Sequence, residues 1–193
     1  MSKENPKARR NTTVIWLLIA VCIAPVAASY LAYYVWQPSG HVNYGELIEP
    51  RRLPDAGFTL ADGMPFGWQQ LKGRWVLVTA DSGSCDAHCY QKLIYLRQIR
   101  LAQGKDMDRV ERVWLITDAV NPKAEIIARF EGTMMIRAAG GRLLDSFPAH
   151  GSLADDIYLI DPLGNLMMRY PREADPRRIV KDIERLLKIS RIG

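Results

Sequence analysis

Two of the three cysteines in this 193-residue chain, Cys85 and Cys89, lie four positions apart in "DSGSCDAHCYQKL". Residues at i and i+4 of a helix share a face, with Cβ atoms about 5–6 Å apart. If the helix starts near Ser84, both thiols point the same way at its N-terminus. There the unpaired peptide N–H groups and the helix dipole favour thiolate over thiol. Two neighbouring thiolates form a soft pair, suited to copper or to reversible disulfide formation. A purely structural staple is less attractive, because the loop it would close is very short and the entropic gain correspondingly small.

Copper would want a third donor, typically an imidazole. The chain has three histidines. His41 stands in a proline-rich stretch far from the cysteines and reads as a solvated bystander. His88 lies between the cysteines, where coordination would crowd the turn, so its expected effect is on thiol acidity. His150, in "FPAHGSLADDIYLID", precedes an apolar run and is the candidate third ligand, giving Cys85, Cys89 and His150 as the metal set. Met134, Met135, Met167 and Met168 lie in apolar runs and read as core filling. Asp155 and Asp156 precede a strand with no acid–base partner in view.

The elements that must position these residues follow from the hydrophobic pattern. "WVLVTA", 75–80, is a continuous apolar run of the kind found in a strand buried on both faces. A helix should follow from about Ser84 to Ala102, capped by Ser82 or Ser84. "RVWLITD", 112–118, is a second buried strand, and "NPKAEIIARFEG" a helix with Asn121 as cap and Pro122 at its first position. "DIYLID", 156–161, and "LMMRYP", 166–171, pair as antiparallel strands around the turn "PLGN". Asp175 and Pro176 open a last helix whose buried stripe is Ile179, Val180, Ile183, Leu186 and Leu187. Its basic side reads as a solvated face rather than a lipid-binding one. Strand, helix, strand, helix, hairpin, helix is a thioredoxin-like α/β order.

"VIWLLIAVCIAPVAASYLAYYVW", 14–36, has no charged residue and is long enough to cross a bilayer core. Trp16 lies near one end, and Tyr33, Tyr34 and Trp36 at the other, as expected at membrane interfaces. Lys3, Lys7, Arg9 and Arg10 precede it, so residues 1–13 are expected to stay in the cytoplasm and 37–193 to be exported. A signal peptide cut near Ala28 is the rival reading, but the apolar run is longer than such a segment needs. Cys22 falls inside this run. Residues 37–56 read as a tether and 57–193 as the globular domain. The net charge of +5 falls once the N-terminal tail is set aside, leaving 22 Lys/Arg against 20 Asp/Glu. With no basic block interleaved with aromatics, nucleic acid is not an expected partner. An exported domain is one in which disulfides persist.

"GFTLADG…LKGRWVLVTADSGSCDAHCYQKL", "VWLITD" and "IYLIDPLGNL" together resemble the SCO (SenC) family. These are membrane-anchored, thioredoxin-like copper chaperones that assemble the copper centre of cytochrome c oxidase. The resemblance implies that Cys85 and Cys89 bind one copper ion. It also implies partners in the oxidase copper-binding subunit or other respiratory assembly factors, at the periplasmic side of the inner membrane. The family's histidine position falls on Leu153, with His150 three residues earlier, and Asp86 and Tyr90 stand where the family has proline after each cysteine. The alternative is a thiol–disulfide oxidoreductase that keeps partner cysteines reduced. A third reading is an assembly scaffold whose cysteines are a relic.

Overall fold

The computed structural model describes residues 6–35, 43–54, 57–140, 142–149, 151–190 and 192, and forms two compact units, residues 1–42 and 43–193. The described part of the first is one helix, α1, Pro6–Val35. Its stretch Thr12–Val35, 24 residues with mean hydropathy 2.4, is long and apolar enough to cross a membrane. Pro25 lies inside it, and the Ser29 hydroxyl donates to the Pro25 carbonyl at 2.8 Å.

The second unit is built on an eight-stranded sheet. Its strands are β1 (Glu46–Arg52), β2 (Phe58–Leu60), β3 (Pro65–Phe66), β4 (Trp75–Asp81), β5 (Val110–Ile116), β6 (Met134–Arg137), β7 (Ile157–Ile160) and β8 (Asn165–Tyr170). They lie in the order β1-β8-β7-β4-β5-β6-β2-β3. β4, β5 and β6 run parallel, and the remaining neighbours pair antiparallel. The helices are α2 (Ala87–Ala102), α3 (Ala124–Arg129) and α4 (Pro176–Ile189).

Every residue of β4 is buried, as a central strand flanked by β5 and β7 must be. Its side chains alternate between faces. Trp75 and Leu77 pack with Leu96 and Ile99 of α2 and Ile179 and Ile183 of α4. Val76, Val78 and Ala80 pack on the other side with Trp68, Leu71, Leu143 and Phe147. Thr79 and Asp81 continue the phase of Trp75 and Leu77, so a carboxylate stands on the α2 side at the strand's C-terminal end.

Three expectations need correction, and one strand has no counterpart among them. Residues 46–52, assigned to a tether, form β1 on the edge of the sheet beside β8. Short strands of mixed polarity carry no readable alternation when one face is exposed, and β1 is largely exposed. β6 escaped notice because four residues are too few to show a period. Its Met135 is buried, as core filling requires. The helix expected from Asn121 starts at Ala124, because the Asn121 side chain accepts from Arg137 at 2.7 Å instead of capping. The helix expected from Ser84 starts at Ala87, with consequences for the cysteines.

Candidate dithiol site

α2 is capped by Asp86, whose carboxylate accepts from the Cys89 N–H at 2.9 Å. Cys85 therefore lies outside the helix, so the two cysteines do not share a helical face. It sits in a turn closed by its own N–H to the Ser82 carbonyl at 3.1 Å. Among the described residues it is the one non-glycine with positive φ, 44°. This left-handed backbone turns the Cys85 side chain back over the first turn of α2. The two cysteines form a disulfide with a Cα–Cα distance of 5.1 Å, inside the usual range. Leaving the helix is how the pair meets, since regular helical Cβ vectors do not aim two sulfurs at each other. Cys89 is 1% exposed and Cys85 9%.

The turn is pinned from the next loop. Gly83 N–H donates to the Asp118 carboxylate at 3.0 Å, and so does Val120 N–H at 3.1 Å. A hydrogen bond from Ser82, together with that from Gly83, holds the Asp118 carboxyl below its ordinary value. Gly83 admits this close approach because a Cβ there would stand 1.9 Å from the Val120 carbonyl oxygen. Asp86 is likewise held low, chiefly by the Cys89 N–H.

Behind the disulfide lies a pair that sequence reading missed. Lys92, one turn on from Cys89, is 3% exposed, and its Nζ lies 2.5 Å from Oδ2 of Asp81 at the end of β4. Lys92 also donates to the Ala154 carbonyl, and Thr79 donates to Asp81 at 3.3 Å. Burial pushes the Asp81 carboxyl up and the Lys92 ammonium down, and each opposes the other's shift by its charge. The signal was present: Lys92 falls in phase with Cys89, Leu96 and Ile99 on the buried stripe, and a cation there requires a partner.

The cysteines share an apolar cluster with Leu93, Trp114, Ile116, Phe130 and Met135. The His88 Nε2 is buried without a hydrogen-bond partner among the described residues, at a cleft lined also by Lys92, Tyr95 and Asp155. His41 and His150 lie outside the described residues. The segments flanking His150 are tied down. The Pro148 carbonyl accepts from Tyr158 and from buried Arg169, each at 3.0 Å, and Ala154 is held by Lys92. Asp155 pairs with Arg172 at 3.2 Å.

Among the described residues no cluster of three or more His, Cys, Asp or Glu side chains is arranged to hold a metal. Within the described residues the two sulfurs are the soft donors of the site, a pair suited to a soft ion such as Cu(I).

A cysteine pair at the junction of a central strand and a helix, in a sheet of this order, defines a thioredoxin-like protein. The family model for the "transmembrane-like, thioredoxin-like, C-terminal domain" matches residues 75–190, and the chain belongs to that family. A comparison with curated proteins returns no match. Copper-bound yeast Sco1 superposes with a TM-score of 0.62 at 16% identity, over 74% of this chain and 96% of that one. A SCO1/SenC family lipoprotein from Bacillus anthracis gives 0.54 at 21%, over 74% and 99%. A candidate protein disulfide isomerase from Bacteroides thetaiotaomicron gives 0.53 at 18%, over 76% and 95%. The resemblance to SCO proteins thus holds at the level of the fold.

Proposed function

We propose that this protein is a membrane-anchored assembly factor that matures a copper centre of cytochrome c oxidase through the Cys85–Cys89 dithiol. α1 would serve as an uncleaved anchor in the inner membrane, with the domain on the periplasmic side. The observation that carries the reading is the strand-to-helix turn that brings two sulfurs together in a SCO-like fold. The reduced pair would hold copper as cargo, with His150 as the third donor. The relevant partner is the oxidase copper-binding subunit or another respiratory assembly factor.

A second reading, a thiol–disulfide oxidoreductase, is favoured by the asymmetry of exposure of the two cysteines. A partner thiolate would attack Sγ of Cys85, the more exposed residue of the pair, forming a mixed disulfide and releasing Cys89 as thiolate. That thiolate would develop at the N-terminus of α2, where the helix dipole stabilises it. In the reducing direction Cys85 attacks the partner disulfide and Cys89 resolves the product.

Anaerobic Cu(I) titration of the reduced, detergent-solubilised chain separates the two. The copper reading expects about one equivalent bound, lost in Cys85→Ser and weakened in His150→Ala. Absence of binding, with rapid reduction of a test disulfide by the same sample, would establish the oxidoreductase instead.

A further inference from the structure

A groove of about 380 Å³ is bounded by Arg97 and Arg100 of α2, Arg112 of β5, Arg129 at the end of α3, and Glu131 and Gly132 of the turn that follows. Arg112 is in phase with Trp114 and Ile116, the β5 residues packed with the cysteines. Groove and disulfide therefore share one face of the sheet. Arg97 follows Cys89 by eight helical residues, about 12 Å along α2.

The charge at the floor of this groove is unbalanced. Arg112 is 6% exposed, and a guanidinium so deeply buried ordinarily has a carboxylate partner. Here its Nη2 donates to the Glu131 carbonyl at 3.0 Å, a neutral acceptor, and its Nε is buried with no partner among the described residues. The adjacent Glu111 falls on the opposite side of β5 and is paired with Arg74. Burial, and then the charges of Arg100 and Arg97, push the Arg112 guanidinium below its ordinary value. Gly132, in a left-handed turn at φ 78°, leaves room for this side chain, since a Cβ there would stand 2.9 Å from Nη2 of Arg112.

The surrounding arginines add to the imbalance. Arg97 donates to the Arg129 carbonyl at 3.4 Å, and the Arg129 guanidinium lies 5.8 Å over the Tyr90 ring. Neither meets a carboxylate among the described residues. Arg100 does, with Asp108 at 3.1 Å. Four guanidiniums against the Asp108 carboxylate and the exposed Glu131 leave a formal charge of +2.

We propose that this groove is a binding site for a phosphate monoester dianion, held by Arg112 at the floor and by Arg97 and Arg129 at the rim. Two negative charges match the formal excess, and guanidinium forks present paired N–H donors to phosphate oxygens. A chloride ion or a single carboxylate would leave the excess only half neutralised. The site goes beyond the dithiol reading and does not depend on it. Soluble esters and phosphatidic acid carry the same phosphate group, so both sources are probed.

In the test, the full chain in dodecyl maltoside micelles is titrated with glycerol 3-phosphate at an ionic strength held constant with sodium chloride. NMR follows the amides of Arg112, Glu131 and Gly132. The expected result is saturable shifts at these amides, half complete at about 1 mM or below, and none at Gly83 and Val120 beside the disulfide. Arg112→Gln and, separately, Arg97→Gln with Arg129→Gln should each weaken binding by about tenfold or more. Arg97 and Arg129 are exposed, so the second variant separates loss of binding from loss of the fold. Saturation by glycerol 3-phosphate assigns the site to a soluble ester. Saturation only when phosphatidic acid is added to the micelle, with the same loss in the variants, assigns it to a lipid headgroup. Shifts that never saturate with either probe, or half-saturation unchanged in both variants, would overturn the proposal and leave Arg112 as a cap on the carbonyls after α3. So would tight binding of a polyglutamate peptide without a response to either phosphate, which would make the groove a protein-docking surface.

Discussion

At the scale of single residues, the site depends on groups that would be expensive to misplace. Lys92 and Asp81 are both buried, and removing one leaves the other as an uncompensated charge. Lys92→Met is expected to lower stability by about 3–5 kcal/mol. The double change Lys92→Met with Asp81→Leu should recover most of that loss, because the pair's attraction roughly offsets its desolvation. Denaturant unfolding of the solubilised chain checks both, and equal stability of Lys92→Met and the parent would show that the pair is not closed in solution. Gly83 is a second such residue. A methyl group there meets the Val120 carbonyl, so Gly83→Ala should cost roughly 1–3 kcal/mol and displace the Cys85 turn. Proteolytic or hydrogen-exchange mapping of residues 82–86 would report that displacement.

At the scale of elements, the start of α2 and the Cys85 turn depend on two carboxylates with lowered pKa, Asp86 and Asp118. A depressed folded pKa contributes stability that is complete above the unfolded value, 3.8, and is lost as the pH falls through the lower folded value. Amide exchange at Gly83 and Cys89, corrected for its intrinsic pH dependence, should therefore be unchanged at neutral pH and accelerate only below about pH 4. Asp118→Asn should remove the transition at Gly83 while leaving that at Cys89. Acceleration beginning near pH 6 would instead implicate a histidine. β1 offers a second element-level check. Asp182 on α4 holds Tyr44 and Gly45 at the strand's approach, so Asp182→Ala should cost about 1–3 kcal/mol and loosen residues 44–47 before the rest of the sheet.

For the whole molecule, the disulfide closes too short a loop to be what holds the fold together. The chain-entropy relation gives roughly 2 kcal/mol for a loop of this size, against a core that spans both faces of an eight-stranded sheet. Reduction should therefore lower the unfolding midpoint by several degrees without unfolding the domain, leaving a folded dithiol available for copper or exchange. Calorimetry with and without a reductant measures this; collapse of the folded state on reduction would make the bond a structural staple.

The sequence by itself determined the apolar helix, the two long buried strands, the β7–β8 hairpin and α4 with its Asp175–Pro176 start. It also singled out Cys85 and Cys89 as the residues with chemistry. These features are local: an uninterrupted apolar run, a period or a cap identifies them within a few neighbouring residues. β6 and β1 stayed hidden because short strands are defined by the neighbours they pair with rather than by a period of their own. Only the tertiary structure decided how the thiols meet. Asp86 outcompetes Ser84 as cap because its carboxylate reaches the Cys89 N–H, which expels Cys85 from the helix into a left-handed turn that the loop at Asp118 holds in place. The Asp81–Lys92 pair was likewise settled across space, since a buried cation can be noticed in a helical stripe but its counter-ion lies on another element, eleven residues away. What brings these groups together is the packing of α2 onto the end of β4, a long-range fact no local pattern contains.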